Sequence, residues 1–339
     1  MKLYNINLQL LAVNATVASG SMGAGTPNTA LSAEMKTFYD MTLIDEASAN
    51  LVHDQFGQKR PIPAGGGKTI EFRKFSPLPK ATTPISEGVT PDGKNLEVTA
   101  ITATVEQYGD YIVQSDILEL TALDNTILEA TKLLGKQAGT TLDTVVRNVL
   151  QSGTNVTYCP KIAADGTETA VSSRSALDAT CKLTVDVVQQ VVAKLRAQNA
   201  PTIGGKYVAI IHPYVAYDLM RDPEWIDAHK YTNPTNLYEG EIGEIAGVRF
   251  VQTTEAKIYE NGVFGSLFFG ENAYGVTEIT GGGLQTIVKQ KGSAGTGDPL
   301  DQRSSVGWKA IKTAEILVQN YLVRVESCSP RFSATAVAN

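Results

Sequence analysis

Residues 115–151, SDILELTALDNTILEATKLLGKQAGTTLDTVVRNVLQ, constrain the fold more than any other stretch of the chain. Leu120, Leu123, Ile127, Leu134, Ala138, Leu142, Val145 and Val149 recur at spacings of three and four, which places them on one face of a helix. Asp124 is placed to cap its N-terminus, with Leu123 and Leu128 stapling across the cap, and Gly153 stands where a C-terminal stop belongs. From residue 125 to 151 the helix measures about 40 Å at 1.5 Å per residue. Gly135 and Gly139 interrupt it, each at a cost of about 1 kcal/mol relative to Ala. They mark a bend or a close crossing by another segment. The stripe carries no catalytic residue, so the helix reads as a spine.

A spine of this length needs a body to pack against. The 339 residues, 42% apolar and 19% charged, describe a globular chain of two sub-domains or one elongated unit. Twenty-nine basic against 35 acidic residues leave a net charge of −6. No basic excess exists to neutralise phosphates, which argues against a dedicated DNA-binding protein. Thirty glycines and 14 prolines imply many turns and long loops. No apolar run approaches the ~20 residues needed to cross a bilayer.

The opening MKLYNINLQLLAVNATVASG combines Lys2, a Leu-rich patch and small residues near Ala18. Asn5, Asn7, Gln9 and Asn14 interrupt the apolar part, a poor core for a secretory signal. Residues 1–33 read instead as a short flexible arm. Cys159, Cys181 and Cys328 fit no metal-ligand spacing and no disulfide framework. Cys159 and Cys181 flank a stretch that can fold as a hairpin, but in a reducing cytoplasm they are read as free thiols.

Along the chain, residues 33–56 carry a helical pattern (Met35, Phe38, Tyr39, Leu43, Ile44, Ala47, Leu51, Val52) closed by Gly57. KTIEFRKF (68–75) and LEVTAITATVEQYGDYIVQ (96–114) read as two strand arms around a tip rich in Pro, Gly, Thr and Ser. The arms hold too few large apolar residues to bury both faces, so this long hairpin is expected to project onto a partner subunit, the alternative being an ordinary edge hairpin folded back on its own domain. Residues 154–182 form a polar insertion with a turn at Asp165-Gly166. A second helix is expected over 184–198 and a strand over 206–212, after which Pro213 opens a helix to Met220. Residues 222–239 read as a loop. Short strands follow at 248–253, 263–270, 273–279 and 284–290, and residues 307–327 read as long closing strands that return beside the spine.

Motifs that carry chemistry are weak. GGGKT (65–69) resembles a phosphate-binding loop, but Ile62 stands where that loop needs Gly, and a strand follows where it needs a helix. His53, His212 and His229 lie far apart in no metal-binding arrangement. No acid, base or nucleophile stands out. The triplet 281–283 lacks the helix that dinucleotide binding requires. The acidic run 238–244 lacks calcium-loop spacing and reads as a solvated loop. No cofactor, metal or catalytic residue is assigned. Lys68, Arg73, Lys74 and Lys80 line one hairpin arm. They are either a solvated face or partners for acidic groups on a neighbouring subunit, weak singly and additive over many copies.

The order of arm, projecting hairpin, spine helix, α/β region and returning strands resembles the tailed-phage major capsid protein with the Hong Kong 97 fold. The sequence itself resembles one branch of that family, the one found in N4-like phages. GQKRPIPAGGGKTIEFRKFSPLPKATTPISEGVTP (57–91), VEQYGDYIVQSDILELTALD (105–124), LDTVVRNVLQSGT (142–154) and VGWKAIKTAEILVQNYLVRVES (306–327) carry the resemblance. The opening NLQLLA (7–12) adds to it.

The resemblance implies an α+β fold divided into five parts. These are an N-terminal arm and short helix (1–64), an extended hairpin loop with a peripheral-domain strand (65–114), and the spine helix with its insertion in the peripheral domain (115–182). An axial α/β domain (183–300) and closing strands of the peripheral domain with a C-terminal tail (301–339) follow. It implies a structural protein, not an enzyme, that assembles with itself into hexamers and pentamers of an icosahedral virion shell in the host cytoplasm. The shell encloses double-stranded DNA without sequence-specific binding, and no membrane is involved. Lys68, Arg73, Lys74, Lys80, Glu87, Asp92 and Lys94 are the candidate inter-subunit contacts. Portal and possible decoration proteins are further implied partners, and the arm is too short for a fused scaffolding domain, so a separate scaffolding protein is expected. A secreted or surface-layer binding protein, suggested by the signal-like N-terminus, is the alternative, and a hydrolase with a dispersed site is the third reading.

Overall fold

A computed structural model describes residues 33–48, 51–75, 78–84, 87–88, 90, 93–121, 126–163, 165–232, 243–293 and 298–339. The predicted arm, all but its last residue, lies outside them, as do Leu123 and Asp124 of the predicted cap. In chain order the elements begin with helix α1 (Ala33–Ser48) and strands β1 (Gln58–Lys59), β2 (Thr69–Phe75), β3 (Val98–Thr104) and β4 (Glu106–Ser115). Helices α2 (Asp116–Thr121) and α3 (Thr126–Gln151) follow, then strands β5 (Val156–Tyr158), β6 (Lys161–Ile162) and β7 (Glu168–Thr169). Helix α4 (Val185–Ala197), strand β8 (Tyr207–Ile211) and helices α5 (Pro213–Met220) and α6 (Pro223–Thr232) come next. The rest is β: β9 (Glu244–Ile245), β10 (Val248–Gln252), β11 (Lys257–Tyr259), β12 (Val263–Phe269), β13 (Tyr274–Glu278), β14 (Gln285–Lys289), β15 (Arg303–Ile316) and β16 (Leu322–Cys328).

The chain divides into two compact units. The smaller comprises Met1–Leu51, Gln107–Asp143 and Gly281–Lys312. In it β15 pairs antiparallel with β14, Ile287 opposite Gly307, and also takes β4. Gly109 and Gly307 allow the two backbones to approach: a Cβ at Gly109 would lie 2.6 Å from the Trp308 carbonyl oxygen. Gln137 of α3 ties the layers together, donating to Asp110 at 2.6 Å and accepting from the Trp308 indole at 3.3 Å. The core gathers Leu134, Ala138 and Leu142 of the spine, Leu43 and Ala47 of α1, and Val306, Trp308 and Ala310 of β15.

Helix α3 follows the predicted spine closely, and Gly135 marks a close crossing. A Cβ there would sit 2.9 Å from both the Leu43 carbonyl oxygen and Glu46 Cβ. Glycine is needed because α1 crosses at that point. Helix α1 ends at Ser48, short of the predicted Phe56, and residues 53–56 form a turn. The apolar pattern runs on because Val52 and Phe56 pack into the core of the larger unit, not because the helix continues.

The larger unit comprises Val52–Glu106, Thr144–Thr280 and Thr313–Asn339. Its main sheet has the order β5-β16-β12-β8-β10-β9, with β11 also on β12. Every residue of β8 (YVAII) and β12 (VFGSLFF) is buried, as expected of strands covered on both faces. Ala209, Ile211, Phe264 and Phe268 face a core completed by Val187, Val188, Val191 and Leu195 of α4. Val208, Ile210, Leu267 and Phe269 face a second core holding Val146 and Leu150 of α3, Tyr274 and Val276 of β13, and Ala314 and Ile316 of β15. β13 lies between β1 and β15.

Two expectations are corrected here, and the closing strands are found as expected. The second hairpin arm, 96–114, is two strands. β3 pairs with β2 from Phe75 opposite Val98 to Thr69 opposite Thr104, and β4 leaves for β15. Alternation continues through Val105, so periodicity does not reveal the change of partner. Residues 223–232 form α6, not a loop. Asp222 accepts from the Glu224 N–H at 3.1 Å, Pro213-like placement of Pro223 starts the helix, and Trp225 is buried. The closing strands part at a one-turn helix, Gln319–Tyr321. β15 and β16 then enter different sheets.

Gly135→Leu tests the helix crossing. Leu favours helix over Gly, so the expected loss of about 1–3 kcal/mol in urea unfolding isolates the steric conflict.

Candidate assembly surfaces

Among the described residues, hairpin β2–β3, in the larger unit, is anchored at its base. Phe72 and Ala103 are buried there with Leu317, beside partly buried Ile70, Ile101 and Val318. The Arg60 guanidinium stands 5.9 Å from the Phe72 ring centre, and a cleft of about 220 Å³ lined by Arg60, Phe72, Lys74 and Leu317 opens beside it. Beyond the base the apolar residues have no cover: Phe75 is 58% exposed, Leu78 60% and Leu96 62%.

The candidate contact residues lie along this hairpin. Lys68, Lys74, Lys80, Glu87 and Lys94 are all exposed. Arg73 meets Glu71 two positions along its own strand, Nε to Oε1 3.1 Å, an exposed pair of small energetic weight. Asp92 lies outside the described residues. Among the described residues the structure pairs Arg73 and does not bring the others together.

The chemical motifs resolve into turns and caps. Gly65 and Gly67, at φ +82° and +88°, shape a turn closed by the Gly66 N–H on the Pro63 carbonyl, and β2 follows. His212 caps α5, its Nδ1 accepting from the Tyr214 N–H at 3.1 Å. Burial holds its pKa below the ordinary 6.5. Glu244, at the end of the acidic run, pairs with Lys206; residues 238–242 lie outside the described residues. Among the described residues no group of three or more His, Cys, Asp or Glu is placed to hold a metal ion, and no helix is long and apolar enough to cross a membrane.

The predicted polar insertion is structural. Its β5 pairs parallel with β16, Val156 opposite Arg324, and Cys159 and Cys181 are fully buried as free thiols. Arg174 donates to the fully buried Glu326 through two bonds of 2.7 and 2.5 Å, while Arg324 Nε stands 2.9 Å from the same carboxylate. The Arg174 guanidinium lies 3.5 Å from the Tyr259 ring centre. Sequence reading missed this cluster, since no short-range pattern links positions 152 residues apart. A second latch holds the tail. Phe332 stacks on Tyr214 at 4.2 Å, and Ser333 donates to the Gly262 carbonyl at 2.7 Å.

Several solved structures share the fold of this chain. A chain of the cyanophage Pam1 capsid asymmetric unit matches with a TM-score of 0.63 at 12% identity, covering 94% of this chain and 98% of that one. The capsid of Ralstonia phage GP4 gives 0.61 at 14%, with 92% and 97% covered. That of cyanophage P-SCSP1u gives 0.63 at 14%, with 82% and 88% covered. No curated protein sequence matches. The model of the phage capsid protein family matches residues 59–290, so this chain belongs to that family. Family and fold together mark a structural protein of the phage capsid, located in the virion capsid, and not an enzyme.

Arg174→Ala leaves a buried carboxylate with one cation fewer, and an expected loss of roughly 2–4 kcal/mol follows, read from chemical denaturation. His212 gives a pH dependence. Its folded pKa is depressed, so its stabilisation is present above pH 6.5 and is lost as pH falls towards the folded value. His212→Asn keeps a capping acceptor but does not titrate. The difference between the two proteins' denaturation midpoints is expected to shift in the variant's favour from neutral pH to about pH 5.

Proposed function

We propose that this chain assembles with itself into hexamers and pentamers of an icosahedral shell around double-stranded DNA. The observation that carries the reading is the β2–β3 hairpin, packed at its base and bare along apolar Phe75, Leu78 and Leu96. Exposed apolar surface of this kind marks a protein contact, and the capsid-type fold supplies the partner as another copy of the chain. Heterologous contacts that repeat around a ring close into such capsomers.

In this reading residues 65–114 hold the extended loop that lies on a neighbour, and Lys68, Arg73, Lys74, Lys80, Glu87, Asp92 and Lys94 contribute polar contacts there. Helix α3 is the spine of a peripheral domain, residues 183–300 are axial, and the first 33 residues are an arm. The sequence likeness at 57–91 and 306–327 supports membership of the N4-like branch. Assembly takes place in the host cytoplasm with a separate scaffolding protein, a portal and possible decoration proteins. A net charge of −6 suits a shell whose packaged DNA is held without sequence readout and must slide during filling and release.

Deleting the hairpin tip, residues 77–94, is expected to leave a folded subunit that forms no shells. Negative-stain microscopy and size-exclusion chromatography, with scaffolding protein supplied, read the outcome. Normal shells from the deletion variant overturn the role of the hairpin.

A further inference from the structure

Strand β14 ends its sheet. β15 pairs with one edge, and no described strand pairs with the other. A groove of about 590 Å³ follows β14. It is lined by five consecutive residues, Leu284 to Val288, and by Lys309, which stands opposite Gln285 on β15. Side chains of neighbouring strand residues point to opposite faces, so a lining of consecutive residues traces the edge of the strand and not one of its faces. One turn of α1 forms the opposite wall through Asp40 and Ile44. Ile44 is 46% exposed and Ile287 38%. An open strand edge flanked by uncovered apolar side chains is a template for one more strand.

The sequence holds a segment with the matching pattern. Residues 4–10, YNINLQL, alternate strictly: Tyr4, Ile6, Leu8 and Leu10 on one side, Asn5, Asn7 and Gln9 on the other. That is the signature of a half-buried strand, and it contains no Pro, Gly or charge. The other stretches outside the described residues are shorter or do not alternate. Residues 11–32 join this segment to α1, and their 22 residues are mostly Ala, Gly, Ser, Thr and Asn. A tether of that length and composition spans about 25 Å on average, whereas Asp40 lies only about 10 Å along the helix from Ala33. The segment is therefore held near its own groove at an effective concentration in the millimolar range.

We propose that residues 4–10 add as a strand to the free edge of β14 in the same subunit, with Tyr4, Ile6, Leu8 and Leu10 turned towards the α1 wall. In subunits awaiting assembly this covers an edge that otherwise invites edge-to-edge pairing.

Hydrogen exchange of the full-length chain, followed by mass spectrometry, tests the docking against the variant Ile6→Asp/Leu8→Asp. Peptides covering residues 285–289 are expected to exchange about tenfold more slowly in the unaltered chain, equally at low and high subunit concentration. Exchange across α3 serves as the control for folding and stays unchanged. A synthetic peptide of residues 3–12, added in excess to the double variant, is expected to restore the protection. Equal exchange of 285–289 in both proteins overturns the proposal, as does a peptide that restores nothing at saturation. Protection that grows with subunit concentration also overturns it and assigns the groove to a second copy.

Discussion

A strand buried on both faces must be closed off by something on each, and β8 and β12 impose that condition on the larger unit. One face is satisfied by α4, whose Val187, Val188, Val191 and Leu195 form a continuous stripe. The other is met by residues drawn from three distant places in the sequence: the last turns of α3, the body of β13 and the end of β15. At about 25 cal/mol per Å² of apolar surface removed from water, this two-sided core dominates the stability of the unit. The hairpin, the tail and the insertion are secondary to it. They are attached where the sheet offers an edge or a pocket: β5 on β16, Phe332 on Tyr214, Phe72 on Leu317.

The spine was readable because its signal is local. Apolar residues from Ile127 to Val149 at helical spacings have few alternatives to one helical face, and α3 occupies the expected range almost to the residue, although Leu120 falls on α2 and the last turns bury Val146 and Leu150 in place of the expected Val145 and Val149. The strands of the main sheet were readable for a similar reason, as short apolar runs bounded by turns. His212-Pro213 announced the start of α5 through a cap and a ring with a fixed φ. Asp222-Pro223-Glu224 carries the same message for α6, yet the polar residues after Trp225 masked it. The cap signal was present and outweighed by composition.

What the sequence did not reveal is partner choice. Val105 looks like its neighbours on either side, yet the strand before it pairs with β2 and the strand after it with β15. The charged hairpin residues were legible as an exposed row, but not the internal pairing of Arg73 with Glu71. Glu326 was invisible altogether, since an acidic residue in a strand gives no hint that two arginines will surround it. The glycines fall between these cases. Gly135 advertised a crossing without saying which element crosses, and Gly109 with Gly307 mark a close approach only once both strands are known to be neighbours.

The three cysteines have a chemical consequence. Burial raises the pKa of each thiol, that of Cys328 to about 11, so almost none of any of them is thiolate near neutral pH. Disulfide exchange and oxidation need the thiolate and access to it. With all three sulfurs protonated and buried, none is offered to exchange or oxidation, and a change of redox conditions leaves the folded chain's covalent structure as it is.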